Sequence, residues 1–165
     1  MQAVTLGPAG TYSHRAASAV ADEVAFRESV TAIVEAVVAG EFDRGVVPVE
    51  NSIEGSVTES LDALADDGVA VLREVVTPIR HALLAQSPDF SLVASHSQAL
   101  AQCREYLERE HPDCRREAVA STARGVARAR EDGAVAAIGH PANATEAEPE
   151  LSVLAEDIQD PALIH

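Results

Sequence analysis

The chain has 165 residues, of which 47% are hydrophobic, and its 27 acidic and 12 basic residues give a formal net charge of −15. A surface this acidic argues against a nucleic-acid partner, because phosphate binding needs a basic face. No apolar run approaches the ~20 residues that span a membrane, and the N-terminus lacks the basic and apolar regions of a secretion signal, so we expect a cytoplasmic protein.

The N-terminal part of the sequence predicts strands that alternate with helices. Residues 3–6 form an apolar strand, and after a glycine turn Thr11 or Ser13 caps a helix. A weak strand at residues 24–26 leads to a second helix, capped by Ser29 and ended by Gly40. The apolar residues of this helix follow the spacing i, i+3, i+4, i+7, i+8 of a one-sided stripe. They are Val30, Ile33, Val34, Val37 and Val38.

The next predicted strand, residues 45–49, is fully apolar and ends abruptly in polar side chains. Those side chains are Glu50, Asn51 and Ser52. Ser56 and Glu59 then have the spacing of a capping box, which predicts the start of a third helix. Strands and helices thus alternate as βαβαβα, and this order predicts a parallel sheet with helices packed on it.

The rest of the sequence repeats the alternation of strands and helices. Helices are predicted to begin at Ser97, which would turn Leu100, Cys103 and Leu107 inward, at Ser121 and near Pro141. Predicted strands cover residues 69–76, 79–85, 92–94, 115–120, 134–138 and 151–154. We therefore expect a two-lobed α/β protein, with a first lobe at residues 1–76, a second at 77–155 and a return segment at 156–165 towards the first lobe.

The basic residues and the cysteines bear on the cellular environment and on metal binding. All 12 basic residues are arginine, and lysine is absent. An acidic surface without lysine indicates a halophilic protein from a salt-rich cytoplasm, with a GC-rich genome as the competing source of arginine and alanine. Cys103 and Cys114 stand in no metal-ligand spacing, so we expect reduced thiols and no metal site.

Four polar clusters follow predicted strands, where open α/β sheets bind ligands. They are residues 7–11, residues 50–56, residues 95–98 with Gln102, and residues 121–123. Each also fits an ordinary capped helix start or turn. The clusters supply hydroxyls, amides and backbone N–H groups, and neither a Ser-His-Asp order nor a nucleophile elbow is present. This chemistry indicates recognition of a small anion by neutral donors.

The same segments resemble the catalytic domain of prephenate dehydratases. The resemblance is carried by Gly-Pro-Ala-Gly-Thr at 7–11, Val-Pro-Val-Glu-Asn-Ser-Ile-Glu-Gly-Ser-Val at 47–57, Ser-His-Ser-Gln-Ala-Leu-Ala-Gln-Cys at 95–103 and Ser-Thr-Ala at 121–123. It implies a periplasmic-binding-protein-like (type II) fold of two lobes with the active site in the interlobe cleft. It also implies conversion of prephenate to phenylpyruvate without a cofactor, usually in a homodimer.

The resemblance also implies roles for individual residues. Catalytic or substrate-contacting roles fall on Glu50, Asn51, Ser95 and Gln102. Substrate-binding roles fall on Gly10, Thr11, Ser52, Gly55, Ser56, Ser121, Thr122 and Ala123. Glu50 is a candidate proton donor, although it can equally orient its neighbours.

Two features of the family have no counterpart in this sequence. The family's Thr-Arg-Phe motif, whose threonine is regarded as a proton donor, does not follow Asp160, and no phenylalanine-sensing ACT domain is present. Loss of the principal acid would lower the rate on the order of 10²- to 10⁴-fold. Two alternatives to an active dehydratase therefore stay open, namely a non-catalytic module that binds a small anion or aromatic precursor, and an inactive fragment of the enzyme.

Overall fold

The computed structural model describes residues 1–51, 55–65 and 68–161. The chain divides into two compact units, Met1–Thr77 and Pro78–His165. Each unit has its own sheets and is described by itself. None of the helices in the described part of the chain has the length and apolarity that a membrane crossing requires.

The first unit contains a parallel sheet of three strands in the order β2-β1-β3 and a separate two-stranded antiparallel sheet of β4 and β5. This confirms the parallel sheet that the βαβαβα order predicted. Its elements are β1 (Gln2–Leu6), α1 (Tyr12–Ser18), β2 (Glu23–Arg27), α2 (Val30–Val38), β3 (Arg44–Val46), β4 (Glu50–Asn51), β5 (Gly55–Ser56) and α3 (Thr58–Leu64).

Helix α2 packs as its apolar spacing predicted, with one exception. The Ser29 side chain caps it by accepting a hydrogen bond from the backbone N–H of Ala32. Val30, Ile33 and Val34 are buried. Val37 is half-buried and Val38 is 55% exposed, so the predicted apolar stripe ends at Val37.

Strand β3 is shorter and less buried than predicted. It ends at Val46, whose carbonyl oxygen accepts a hydrogen bond of 2.8 Å from the Thr5 hydroxyl. Pro48 has no N–H to donate, so the ladder cannot continue through it. The predicted strand over residues 45–49 was wrong beyond Val46 for this reason.

The predicted capping box at the start of α3 was also wrong. The N-cap residue is Val57, and no side chain caps the helix there. Glu59 instead accepts a hydrogen bond of 3.1 Å from the backbone N–H of Val30, at the start of α2. The Glu59 carboxylate, which the sequence pattern assigned to the start of α3, is therefore used in a tertiary hydrogen bond to α2.

The second unit contains a mixed sheet of five strands in the order β10-β6-β9-β7-β8. Strands β7, β8 and β9 are parallel, and β6 is antiparallel to both of its neighbours. The elements are β6 (Ala82–Ala85), β7 (Leu92–Ser95), α4 (Ser97–Gln102), α5 (Arg104–Glu110), β8 (Arg115–Ala118), α6 (Thr122–Glu131), β9 (Val135–Gly139), a 3₁₀ turn (Pro141–Ala144) and β10 (Ser152–Ala155).

Both faces of this sheet are covered, because alternate strand residues point to opposite sides. One face packs Leu83, Val93 and Ile138 against Cys103 and Leu107 of the α4–α5 region. The other face packs residues such as Leu84 and Ala137 against α6. The core is thus built mainly from aliphatic side chains, as the low aromatic content of 3% requires.

Residues 69–81 correct a further prediction. This segment was expected to supply strands, but the described residues 68–81 have no regular secondary structure, and β6 begins at Ala82. Val71, Leu72 and Val76 are 72%, 76% and 82% exposed. The apolar composition of the segment therefore does not place it in a core.

The helix predicted from Ser97 is two helices, with a break at Cys103. The carbonyl oxygen of Gln102 accepts the backbone N–H of Asp160 at 2.6 Å. The Asp160 carboxylate in turn accepts the N–H of Glu105 at 3.1 Å in the first turn of α5. A distant segment thus ends one helix and begins the next.

Candidate active site

Polar residues collect at one edge of the five-stranded sheet. The carboxyl ends of the parallel strands β7, β8 and β9 meet there, and the residues that follow them are helix or turn caps. His96, Ser121 and His140 each accept a backbone N–H through the side chain, at 3.2, 3.0 and 3.1 Å. Strand β6 begins at this edge as well, since Ala82 pairs with Gly139, the last residue of β9.

The cap hydrogen bonds determine which ring nitrogen of His96 and of His140 carries the proton when the ring is neutral. In both His96 and His140, Nδ1 accepts the backbone N–H of the cap. A neutral imidazole with an accepting Nδ1 carries its proton on Nε2. In their neutral form the two side chains are therefore N–H donors through Nε2.

His81 is the residue of this edge that the sequence analysis missed. It directly precedes β6 and is 1% exposed. Its Nε2 lies 2.6 Å from Oε1 of Gln102, a predicted catalytic residue. Burial lowers the pKa of His81 below its ordinary 6.5, and the hydrogen bond with Gln102 opposes that shift. A sequence signal did exist, because His81 is a polar residue placed immediately before the buried run 82–85.

Residues 158–160 form hydrogen bonds with the backbones of His81 and Gln102. Gln159 accepts the backbone N–H of His81 through its side-chain oxygen at 2.9 Å. The His81 carbonyl accepts the N–H of Ile158 at 3.1 Å. Because Asp160 also bonds the Gln102 carbonyl, one short segment fixes the start of β6 and the end of α4 together.

An ion pair holds Asp157, the residue directly before this segment. Arg80 donates two hydrogen bonds of 3.0 Å to the Asp157 carboxylate. The first and largest cause of the lowered pKa of Asp157 is its hydrogen bond from Arg80, and the charge of Arg80 adds to it. Asp157 has a φ of 53°, a left-handed conformation that aspartate tolerates better than most residues.

Ser95, predicted to contact substrate, is fully buried at the end of β7. Its hydroxyl donates a hydrogen bond of 2.8 Å to the carbonyl oxygen of Ile138 in β9. In this structure Ser95 therefore links the two central strands beneath the polar edge. Thr122 and Ala123 form the first turn of α6 and are half-buried.

The predicted glycine turn of the first unit has its own internal hydrogen bonds. The Thr11 hydroxyl caps α1 by accepting from His14 N–H at 3.2 Å, and it donates to the Pro8 carbonyl at 3.1 Å. Gly10 has a φ of 84° and donates its N–H to Nδ1 of His14 at 3.0 Å. The Gly10 N–H that the sequence suggested for anion binding is thus directed to a side chain of α1.

In the second polar cluster of the first unit, Glu50–Asn51 and Gly55–Ser56 form the paired strands β4 and β5. Glu50 pairs with Ser56, and Asn51 pairs with Gly55. Glu50 is exposed. Ser52 lies outside the described residues, and so do the side chains of Asn51 and Ser56; for Gly55 the structure describes the backbone pairing.

Possible metal ligands and the two thiols are the other reactive groups of the described residues. Within residues 1–51, 55–65 and 68–161, no group of three His, Cys, Asp or Glu side chains is placed to hold a metal ion. Cys103 and Cys114 are both free thiols. Burial raises the pKa of Cys103 to about 12, with a smaller contribution from Asp160, so this thiol is a poor nucleophile at neutral pH.

Comparison with known proteins adds independent findings. Residues 3–163 match the family model described as prephenate dehydratase. The chain is 38% identical over 162 residues to the bifunctional chorismate mutase/prephenate dehydratase of Stutzerimonas stutzeri, covering 94% of this chain and 44% of that protein. It is 37% identical over 160 residues to the prephenate dehydratase of Amycolatopsis methanolica, covering 93% of this chain and 52% of that one.

Solved structures show the same similarity. The crystal structure of prephenate dehydratase from Arthrobacter aurescens in complex with L-Phe superimposes with a TM-score of 0.88 at 36% identity, covering 98% of this chain and 56% of the other. The chain spans about half the length of the curated relatives it matches. The predicted two-lobed α/β fold of the periplasmic-binding-protein-like (type II) class is thereby confirmed.

Proposed function

The chain belongs to the prephenate dehydratase family, and on that premise we propose that it converts prephenate to phenylpyruvate in phenylalanine biosynthesis. The observation that carries the proposal is the family match across residues 3–163. The site geometry adds to it, because the family motif residue Gln102 is held by hydrogen bonds to both its side chain and its carbonyl.

The reaction needs neutral donors more than a strong base. Prephenate carries two carboxylates and a ring hydroxyl. Loss of CO2 sends its bonding electron pair into the ring, the C–O bond breaks, and one proton is taken up so that the hydroxyl leaves as water. The enzyme gains most by orienting the carboxylates and by donating hydrogen bonds to the departing oxygen.

Gln102 is the described residue best suited to such a donor role. Its Oε1 is engaged by His81 at 2.6 Å. The amide can then meet an anionic group only through its Nε2 protons, since the oxygen would repel it. We propose that Gln102 donates to a carboxylate or to the departing hydroxyl, with Ser121, the N-cap of the long helix α6, as a binding partner from the same sheet edge.

The remaining predicted site residues belong to the proposal as well. Glu50 and Asn51 are proposed as catalytic residues, Glu50 as the candidate acid because it is an exposed carboxyl group in β4. Ser95 is proposed to support the site, because its hydrogen bond to the Ile138 carbonyl links β7 to β9 below the polar edge. Proposed substrate-binding residues are Gly10, Thr11, Ser52, Gly55, Ser56, Thr122 and Ala123.

The proposal is tested by measuring phenylpyruvate formation from prephenate with the purified chain in molar KCl. We expect turnover that Gln102→Ala lowers on the order of 10²- to 10³-fold, the usual effect of removing one preorganised donor. Gln86→Ala is the matched control. Gln86 lies just beyond the other end of β6 and bonds the carbonyls of Ala129 and Arg130, so its loss should leave turnover unchanged.

One result would count against the dehydratase function, and two others would each remove a residue from the assigned site. Prephenate that binds without forming phenylpyruvate would favour a non-catalytic binding module, which the enzyme names of the relatives do not favour. Equal turnover in the wild type and in Gln102→Ala would remove Gln102 from the site. Asn51→Ala is expected to lower turnover with an unchanged circular-dichroism spectrum, and an undiminished rate would exclude Asn51.

We further propose a halophilic, cytoplasmic enzyme that forms homodimers. The net charge of −15 without lysine supports salt adaptation, and the family resemblance supports the dimer and the biosynthetic setting. Light scattering coupled to gel filtration in molar KCl measures the dimer. Unfolding midpoints that do not rise between 0.1 and 2 M KCl would contradict the salt adaptation.

A further inference from the structure

His81 lies in the second unit as a buried imidazole that the proposed reaction has so far not used. It is 1% exposed, and its Nε2 lies 2.6 Å from Oε1 of Gln102. We infer that His81 is a positioning residue: its Nε2–H fixes the side-chain amide of Gln102 so that the amide nitrogen, and not the oxygen, meets the substrate. This inference rests on the proposed function, since it assigns His81 a task in the same site.

The direction of the hydrogen bond follows from the chemistry of the two groups. An amide oxygen can only accept, so the proton between Nε2 and Oε1 belongs to the His81 ring. Burial lowers the pKa of His81, which keeps the ring neutral near pH 7. A neutral ring carries one proton, so the contact with Gln102 also decides the tautomer.

The ring has little freedom to break this contact. Backbone atoms of His81 bond Gln159 and Ile158 at 2.9 and 3.1 Å. The carbonyl of Gln102 bonds Asp160 at 2.6 Å. The backbones that carry the imidazole and the amide are thus anchored to the same three-residue segment, which keeps their side chains within bonding distance.

Orientation of a side-chain amide has a large effect on an anionic ligand. Oxygen and nitrogen occupy nearly equivalent positions in glutamine, so an unrestrained amide can present either one. Presenting the oxygen to a carboxylate replaces an attraction by a repulsion. Hydrogen-bond partners that orient metal ligands change activity on the order of 10- to 100-fold when they are lost, and we expect an effect of that size for the partner of a substrate-binding amide.

The test compares two amide variants that bury similar polar groups. In His81→Gln, the side-chain nitrogen can reach the position of Nε2 and still donate to Gln102. In His81→Asn the side chain reaches only as far as Nδ1, so the donor is lost. We expect His81→Asn to lower kcat on the order of 10- to 100-fold, and we expect His81→Gln to recover most of that loss.

A double-mutant cycle separates positioning from simple damage to the fold. If His81 acts through Gln102, His81→Asn should cause little further loss of kcat in the Gln102→Ala background. Losses that multiply would overturn the inference, as would equal kcat values for His81→Gln and His81→Asn. Urea midpoints of all variants show whether either substitution acts by unfolding the second unit.

A measurement without catalysis distinguishes this inference from the proposed function. Nitrogen-15 NMR of the imidazole in the full chain should show the Nε2–H tautomer of His81 at pH 7. The Nε2 resonance should move in Gln102→Ala and stay in place in Gln86→Ala. An Nδ1–H tautomer overturns the positioning inference even in an active enzyme, whereas a wild type that forms no phenylpyruvate overturns the proposed function.

Discussion

Gly125 of α6 approaches β7 so closely that a Cβ atom on it would lie 2.5 Å from the carbonyl oxygen of Ala94. No heavy atom approaches a Cβ so closely without a shift, and here the neighbour is backbone. Helix α6, whose N-cap is Ser121, therefore lies against the sheet at a distance that only glycine permits.

Gly125→Ala is expected to destabilise the second unit. The methyl group must push α6 away from β7, and overpacking of this kind costs about 1–3 kcal/mol. Urea unfolding followed by circular dichroism measures the change. Gly133→Ala is the control, because a Cβ there would meet only the Gln86 side chain at 3.6 Å. An equal loss in both variants would contradict the close approach of α6.

Ser95→Ala is expected to act mainly on stability. The substitution removes a buried hydroxyl that donates to the Ile138 carbonyl at 2.8 Å and leaves that acceptor without its donor. The expected cost is about 1–3 kcal/mol in the free energy of unfolding. Ser97→Ala, at an exposed position of α4, serves as the control. A large fall in kcat at unchanged stability would instead assign Ser95 a direct catalytic role.

Features that depend on neighbours in sequence could be predicted from the sequence. The caps Thr11, Ser29 and Ser121 bond backbone groups three residues away, so a local pattern contains both partners. Strands β1, β7 and β9 were found for the same reason, since their burial shows as short apolar runs.

Features that depend on distant partners could not be predicted in this way. The partners Glu59 and Val30 are 29 residues apart, and His81 and Gln102 are 21 apart. Asp160 begins α5 from 55 residues away. In each case the local structure depends on a tertiary hydrogen bond. Such a bond leaves no periodic pattern in the sequence from which it could be predicted.

The ion pair between Arg80 and Asp157 predicts a specific dependence of stability on pH. Arg80 holds the pKa of Asp157 below its ordinary 3.8, so the pair stabilises the fold above that value and the contribution is lost as the pH falls through the lowered pKa. Both side chains are about half exposed, so the effect is small and is screened by salt.

Asp157→Asn tests this dependence, because asparagine tolerates the left-handed backbone of residue 157. The urea midpoint of the variant should lie slightly below that of the wild type at pH 7 in low salt. The difference should shrink below pH 3.8 and in molar KCl. Asp89→Asn is the exposed control. A difference that grows at acidic pH would show that Arg80 does not stabilise the charged carboxylate.

The two cysteines should differ strongly in their rate of alkylation. Because burial raises the pKa of Cys103 to about 12, only on the order of 10⁻⁴ of this thiol is ionised at pH 8. Its side chain is also fully buried, whereas Cys114 is half-buried. Iodoacetamide should therefore label Cys114 first in the folded protein and both thiols in urea. In Cys114→Ser, Cys103 is the remaining thiol, so its labelling can be measured alone. Rapid labelling of this variant in the folded state would contradict the burial of Cys103 against the sheet.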